Sequence, residues 1–513
     1  MENRSTWSSR GTFILAAIGS AVGLGNAWRF PGLCAKHGGG TFLVVYIIAL
    51  LVIGIPLLMM ETSIARKLHK GAAESMRGVC RKSEFIGWAA TSNAFVIVTY
   101  YAIVFAWVLL MIFGALQFRN MTGDAVAASN VFANLTQTTW AIEGASIPIP
   151  MLIALIAAWA LIYYCIRDGA SSVGKVVKYT VFLPIIFLVI MAVKGCMMPG
   201  AADGLKMLFI PDMSAFADPS LLIDAIGQVF YSLSIMMAIM FAYGSYLDEG
   251  SNLAEDCIII ALSDAAVSIL SGIVMFSTMG GVGMLDSITD SGIATAFVIY
   301  PQAIVNLTGN GIVNMIFGII FYLMLTTLAI DSAFSIVEGV SASIADKFHI
   351  KPKKCTIVIC LIAAAISLIY ATRAGLAWLD IVDNWTNQIN LILIGVLECI
   401  VVGWVFDPDK VLKQINRNTK RFHMPRFWFR TSVKYLSPIF LMILFVWNMY
   451  NLFIEKGGHY GYPLWAEILA GWCVSIAVFA SGFIIRLIIN RMKKKKHFVE
   501  NEVVWEEDDE PVQ

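Results

Sequence analysis

The stretch Gly19-Ser20-Ala21-Val22-Gly23-Leu24-Gly25-Asn26-Ala27-Trp28-Arg29-Phe30-Pro31 carries glycines, an amide and a guanidinium inside an apolar run long enough to cross a bilayer. Glycine is a poor helix former, and amide and cationic side chains are costly in hydrocarbon. Irregular backbone at that depth is tolerated where it lines a cavity or is buried in protein. A helix restarting after Gly23 would aim the Leu24 and Gly25 amides, and a partial positive charge, at an anion such as a carboxylate. Tyr101 could add a hydroxyl. Carbonyls freed by the same break suit a hard cation. Gly19 and Gly23 also have the small-xxx-small spacing of close helix packing, but Asn26 and Arg29 gain nothing from such packing. A dinucleotide fingerprint is excluded, because no strand precedes the glycines and the third one is absent.

Acids within apolar runs point the same way. An Asp at the centre of a span costs ~2.5–3.5 kcal/mol on insertion scales. Asp264 and Asp331 have no Lys or Arg within their own spans, so a bound cation is a natural counter-charge. The alternative is that they are protonated or hydrogen-bonded between helices. A second polar interruption, Gly227-Gln228-Val229-Phe230-Tyr231-Ser232-Leu233-Ser234-Ile235-Met236-Met237, falls in a later span. Glu61, Glu338, Asp380, Asp383 and Asn387 are further polar residues in apolar surroundings.

These residues must be positioned by membrane helices. The chain has 513 residues, 58% hydrophobic and 14% charged, with a mean hydropathy of +0.76. Those values exclude a soluble protein. At about 20 apolar residues per crossing, spans are expected near 11–36, 41–66, 88–116, 150–166, 176–196, 221–247, 256–281, 312–345, 355–371, 378–405, 433–454 and 464–490. The two interruptions stand five spans apart. A repeat of five crossings must re-enter from the opposite face, so two such units (11–196 and 221–405) form an inverted repeat with the site at their interface. The last two spans (433–490) lie outside it. The fold class is therefore an all-α integral membrane protein with about twelve transmembrane helices. Residues 1–10 precede one transmembrane domain, 11–490, and a charged tail, 491–513, follows it.

Lys and Arg cluster at 66–82, 351–354, 410–434 and 493–496, whereas 283–309 has neither. The positive-inside rule places these basic loops, and both termini, in the cytoplasm. No cleavable signal is expected, the cysteines show no CxxC pairing, and the sequons at Asn120 and Asn134 are read as carrying no glycan in a bacterial chain. Nothing suggests a nucleic-acid partner.

The motif at 19–31, Gly38-Gly39-Gly40, Gly54-Ile55-Pro56, Glu61, Tyr100-Tyr101, Gln228 with Ser232-Leu233-Ser234, and Asp331-Ser332 together resemble the neurotransmitter:sodium symporters. Bacterial members of that family import amino acids. The resemblance covers roughly residues 4–490 and implies sodium-coupled uptake by alternating access. It implies a first Na⁺ site from the Ala21 carbonyl, Asn26, Ser232, Asp264 and the substrate carboxylate. A second would use the carbonyls of Gly19, Val22 and Leu328 with Asp331 and Ser332. Substrate would meet Ser20, Ala21, Leu24, Gly25, Ile97, Tyr101, Tyr231, Ser232, Ser234, Met237, Ser332 and Ile336. Arg29 with Asp383 resembles the outer gate, Arg4 with Asp346 the inner one, and Glu61 would hold amides freed at the sixth-helix break.

The chain departs from the family pattern at three places. Gly23 stands where monoamine carriers place an Asp, which favours amino acids over amines. Asp264 stands where Asn is usual, beside a chloride-site equivalent made of Tyr46, Gln228, Ser232 and Ser268. A fixed carboxylate there would supply the charge that chloride lends, so transport without chloride is expected, and a proton could return on Asp264. Met236 replaces a glycine of the sixth-helix break, which should restore helix propensity and tighten the break. Ile97, Ile336 and Met237 offer no charged partner, so a neutral, hydrophobic amino acid is expected. A proton- or exchange-driven carrier of the same fold, or an amino acid sensor that does not transport, are the competing readings. No HExxH or GxSxG motif supports an enzyme.

Overall fold

The structure is a computed structural model that describes residues 6–121, 123–288, 291–455, 461–494 and 503–505. Helices build it; the described residues include one isolated bridge, Gly39 to Pro211, and no strand. Ten helices are long and apolar enough to cross a membrane, and a bent pair, Arg10–Ala21 with Gly25–Lys36, makes an eleventh crossing. The sixth span completes the set as two pieces, Pro219–Ser232 and Ile239–Ser245. The expected order of spans is therefore present, with the first and sixth broken.

The breaks have different causes. In the first span, Ser9 caps the helix and Val22 leaves it with an extended ψ of 94°. The chain resumes at Gly25 as a wider turn to Arg29 and runs on through Phe30–Lys36, the wider turn falling just before Pro31, which has no N–H to give to the helix. The two halves are bent by 53°.

The sixth span breaks without glycine. Ser234, Met236 and Ala238 have φ values of 53°, 64° and 61°, a conformation that costs an L-residue roughly 1–2 kcal/mol. The break persists although Met236 has a higher helix propensity than glycine, because neighbours satisfy the backbone and side chains in the broken form. The Met236 amide donates to Glu61 Oε1 at 2.7 Å. The Ser234 hydroxyl donates to the Ser20 carbonyl at 2.9 Å. Gly339 of the eighth span leaves the room, since a Cβ there would lie 3.1 Å from the Ala238 carbonyl carbon.

Between spans, the polar segment after the third carries a short helix, Ala125–Thr136, capped by Asp124. Its Phe132 stacks on Phe297 at 4.6 Å. At the opposite, basic face, Ala72–Val79 lies between the second and third spans. Lys347 joins it to the third span, pairing with Glu74 and Glu84 at 2.6 Å each. The last span, Leu464–Lys493, packs on the core and is no loose appendage. Its Glu467 accepts from the Trp385 indole N–H at 2.8 Å, and Gly482 lets the Phe85 backbone approach it.

Two substitutions test this account of the sixth-span break. Gly339→Val is expected to lower the midpoint of thermal unfolding in detergent, at about 1–3 kcal/mol for overpacking against backbone. Ala238→Gly relieves a left-handed residue at no packing cost beyond one methyl, and is expected to leave the midpoint unchanged or raise it. A large fall with Ala238→Gly would count against strain at this position.

Candidate ion and substrate site

The two breaks lie side by side, and a buried cluster ties the first to the sixth and seventh spans. Asn26 sits on the first turn after the break, where its Oδ1 accepts from the Gly23 amide at 3.0 Å. Its Nδ2 donates to Asp264 Oδ1 at 2.7 Å and Ser268 Oγ at 2.8 Å, and reaches Ser232 Oγ at 3.2 Å. Ser232 donates to the other Asp264 oxygen, Oδ2, which Tyr46 also approaches at 3.4 Å. Asp264 is fully buried. Of the residues expected for the first Na⁺ site, Asn26, Ser232 and Asp264 are thus in direct contact, with Ala21 at the end of the adjoining half-helix. Of the chloride-site equivalent, Tyr46 and Ser268 join this cluster. Gln228 turns elsewhere and accepts from Arg29 Nη1 at 3.2 Å.

A second carboxylate, Asp331, lies across the break from the first cluster. A Cβ on Gly19 would meet its Oδ2 at 2.7 Å, so only glycine permits this approach. Ser332, next in the chain, donates to the Leu328 carbonyl at 3.4 Å and reaches the Ser20 carbonyl at 3.5 Å. Gly19 thus approaches Asp331, and Ser332 lies between the Leu328 and Ser20 carbonyls. Asp331 Oδ1 is buried and has no hydrogen-bond partner among the described residues. Oxygen donors of these kinds could hold a hard cation.

Some of the residues expected to meet substrate lie against the first break. A Cβ on Gly23 would come 2.6 Å from Ser332 Oγ, and one on Gly25 would come 2.7 Å from the Tyr231 ring. The Tyr101 hydroxyl faces this region, 3.9 Å from the same Gly23 position, and is buried without a partner. Ser20 Oγ donates to Ser335 at 2.9 Å. Leu24, Ile97, Met237 and Ile336 are buried apolar groups. Ser234 is tied to Ser20.

The gate residues are placed unevenly. The Arg29 guanidinium lies over the Tyr231 ring, 5.5 Å from its centroid, and forms no ion pair with Asp383 among the described residues. Asp383 instead accepts from Asn387 at 2.7 Å. Arg4 lies outside the described residues. Asp346 accepts from the Gly71 amide at 2.6 Å. The same face holds contacts that sequence reasoning missed. Trp7 donates to the Tyr243 carbonyl at 3.0 Å and packs edge-on against Tyr243 and Tyr246. Arg10 pairs with Asp256 at 2.6 Å, and Tyr246 hydrogen-bonds Glu338. A Trp and an Arg just before a span read as interface anchors, so no pattern singled them out. Asp256 at the start of the seventh span was a visible buried-acid signal.

The family model described as the sodium:neurotransmitter symporter family matches residues 4–129 and 136–494. An uncharacterised sodium-dependent transporter of Methanocaldococcus jannaschii is 31% identical over 506 residues, covering 96% of this chain and 99% of the relative. The human sodium- and chloride-dependent creatine transporter 1 is 29% identical, over 92% of this chain and 81% of its own length. The rat sodium- and chloride-dependent GABA transporter 2 is 27% identical, over 92% and 85%.

The hydrogen bonds of Asn26 make it the hub of the first cluster. Asn26→Leu strips the Asp264 carboxylate of its closest amide donor and is expected to cost at least about 1–3 kcal/mol, seen as a lower unfolding midpoint. Adding Asp264→Leu is expected to restore part of that loss, since removing both partners leaves less unsatisfied. Simple additivity of the two losses would refute the coupling.

Proposed function

The chain belongs to the sodium:neurotransmitter symporter family and is a sodium-dependent symporter, a multi-pass membrane carrier and not an enzyme; from that premise we propose that it imports a neutral, hydrophobic amino acid as its zwitterion. The observation that carries this reading is the pair of orphaned groups flanking the breaks, the Tyr101 hydroxyl and Asp331 Oδ1. One wants an acceptor, the other a cation. A substrate carboxylate at the Leu24 and Gly25 amides would satisfy Tyr101 and complete the first sodium shell with Ala21, Asn26, Ser232 and Asp264. A second sodium ion would satisfy Asp331 with Gly19, Val22, Leu328 and Ser332. Binding of cargo and of the first ion then depend on each other, which is the physical basis of symport.

Creatine and GABA, named for two relatives, are also zwitterions with one carboxylate, so those names agree with carboxylate-first recognition. Side-chain choice rests on this chain's own residues. Ser20, Tyr231, Ser234 and Ser332 frame the polar end. Ile97, Met237 and Ile336 wall the other end and offer no charge to a substrate side chain, and Gly23 leaves no acid for an amine. Arg29 with Asp383 would close the outside over Tyr231, and Arg4 with Asp346 the inside, as the two halves alternate. Residues 11–490 would form the transport unit, with 1–10 and 491–513 in the cytoplasm of a bacterium whose inner membrane holds it.

Chloride is the sharper question. Two relatives are named chloride-dependent and the archaeal one sodium-dependent only. Asp264, held by Asn26, Ser232 and Tyr46, supports a fixed negative charge in place of the anion, so Tyr46, Gln228 and Ser268 would hold no chloride.

Two experiments test these readings. A binding screen of the standard amino acids on purified protein, with and without sodium, is expected to pick out an apolar one in sodium alone. Asp331→Ala should then raise the sodium concentration for half-maximal binding at least about tenfold, near 1.4 kcal/mol, while the protein still inserts. Unchanged sodium dependence would refute the role of Asp331. In vesicles, uptake should persist when gluconate replaces chloride, and Asp264→Asn should lose uptake in that medium. Collapse of wild-type uptake in gluconate would sink the fixed-charge reading.

A further inference from the structure

Far from the breaks, on the basic face, a small cleft opens where the last span meets the start of the third. Arg77, Arg81, Glu84, Arg486, Ile489, Asn490 and Lys493 line it, and its volume is about 40 Å³. The charges in this neighbourhood do not cancel. Glu74 and Glu84 are met by Lys347 at 2.6 Å and by Arg77 at 3.4 and 3.9 Å. That leaves Arg81 and Arg486, both exposed, with no carboxylate within ion-pair distance among the described residues. Lys493 adds a further cation to the lining.

We propose that this cleft binds the phosphate of an anionic phospholipid in the leaflet beside the basic loops. The unbalanced charge calls for an anion, and the guanidinium forks of Arg81 and Arg486 suit the oxygens of a phosphate, with Asn490 able to donate as well. The surface leading to the cleft selects the lipid form of that phosphate. Over the two turns before Asn490, the last span turns Phe483, Ile484, Leu487 and Ile488 outward, each about half exposed or more. Phe85 of the third span stacks on Phe483 at 5.6 Å, continuing the apolar wall up to Glu84. An acyl chain can therefore lie along the helices while its headgroup reaches the cations. Basic pockets between membrane helices at this depth recognise lipid headgroups by the same combination of apolar wall and clustered charge.

Native mass spectrometry of the full chain in detergent, titrated with phosphatidylglycerol or phosphatidylcholine, reads this directly. The wild type is expected to retain one phosphatidylglycerol under activation that strips phosphatidylcholine. The double variant Arg81→Gln, Arg486→Gln should bind phosphatidylglycerol roughly 30-fold more weakly, at about fivefold per cation. Arg81→Lys with Arg486→Lys should recover most of the charge-driven part. Arg486→Gln alone, at an exposed position, serves if the double variant fails to fold, and should still lose about fivefold. Equal retention by wild type and variants would overturn the proposal. So would displacement of phosphatidylglycerol by millimolar inorganic phosphate, which would make the site one for a free oxyanion. Retention that appears only after residues 506–513 are removed would also overturn it, by assigning the cleft to the acidic tail.

Discussion

A peptide group that leaves a helix inside a bilayer has no water to turn to, and the architecture of this protein depends on that constraint. Each freed donor or acceptor carries a cost comparable to a lost hydrogen bond unless another group takes it up. At the first break the Gly23 amide is taken by the Asn26 side chain. At the sixth the Met236 amide is taken by Glu61 of the second span. Each solution recruits a polar side chain that needs partners of its own. Asn26 finds them in Asp264, Ser268 and Ser232, and a backbone irregularity in one span becomes a polar network across three.

The two intramembrane carboxylates face this constraint in opposite ways. Asp264 is surrounded by donors of the protein itself, from Asn26, Ser232 and Tyr46. Asp331 has Oδ2 against Gly19 and Oδ1 without a partner. A carboxylate already ringed by hydrogen bonds keeps its position whether or not an ion arrives. One with fewer protein donors would gain more from a cation, as proposed for Asp331. The eighth span, which carries Asp331, also carries Gly339 against the sixth-span break. On the proposed reading, an ion that ordered Asp331 would act on the same helix that packs against the sixth-span break.

Much of this was legible because polar residues in apolar runs are costly and so mark themselves. Asn26, Glu61, Asp264 and Asp331 stood out by type alone, and the broken first span was announced by its glycines. The sixth was harder to read, since Met236 and Ala238 carry no sign of a left-handed backbone. Their conformation is set by Glu61, Ser20 and Gly339, which lie far away in sequence, and local propensity yields to such contacts. The basic-face contacts of Trp7 and Arg10 were illegible for a related reason. Both residues are ordinary at a membrane interface, and only the fold brings them to Tyr243 and Asp256.

The absence of glycine at the sixth break has a mechanical consequence. A glycine hinge adopts a left-handed backbone at little cost, so its break needs little support from its neighbours. Here three left-handed residues are held in a costly conformation by groups on the first, second and eighth spans. Separating the sixth span from those neighbours would remove the contacts that offset the strain, and the segment would then favour closing toward helix. The first, second and sixth spans are thus bound into one unit near the site, through the Ser20 carbonyl and the Glu61 carboxylate. On the proposed reading, a rearrangement of these spans during transport would carry the three together or let the break partly refold as its contacts are lost.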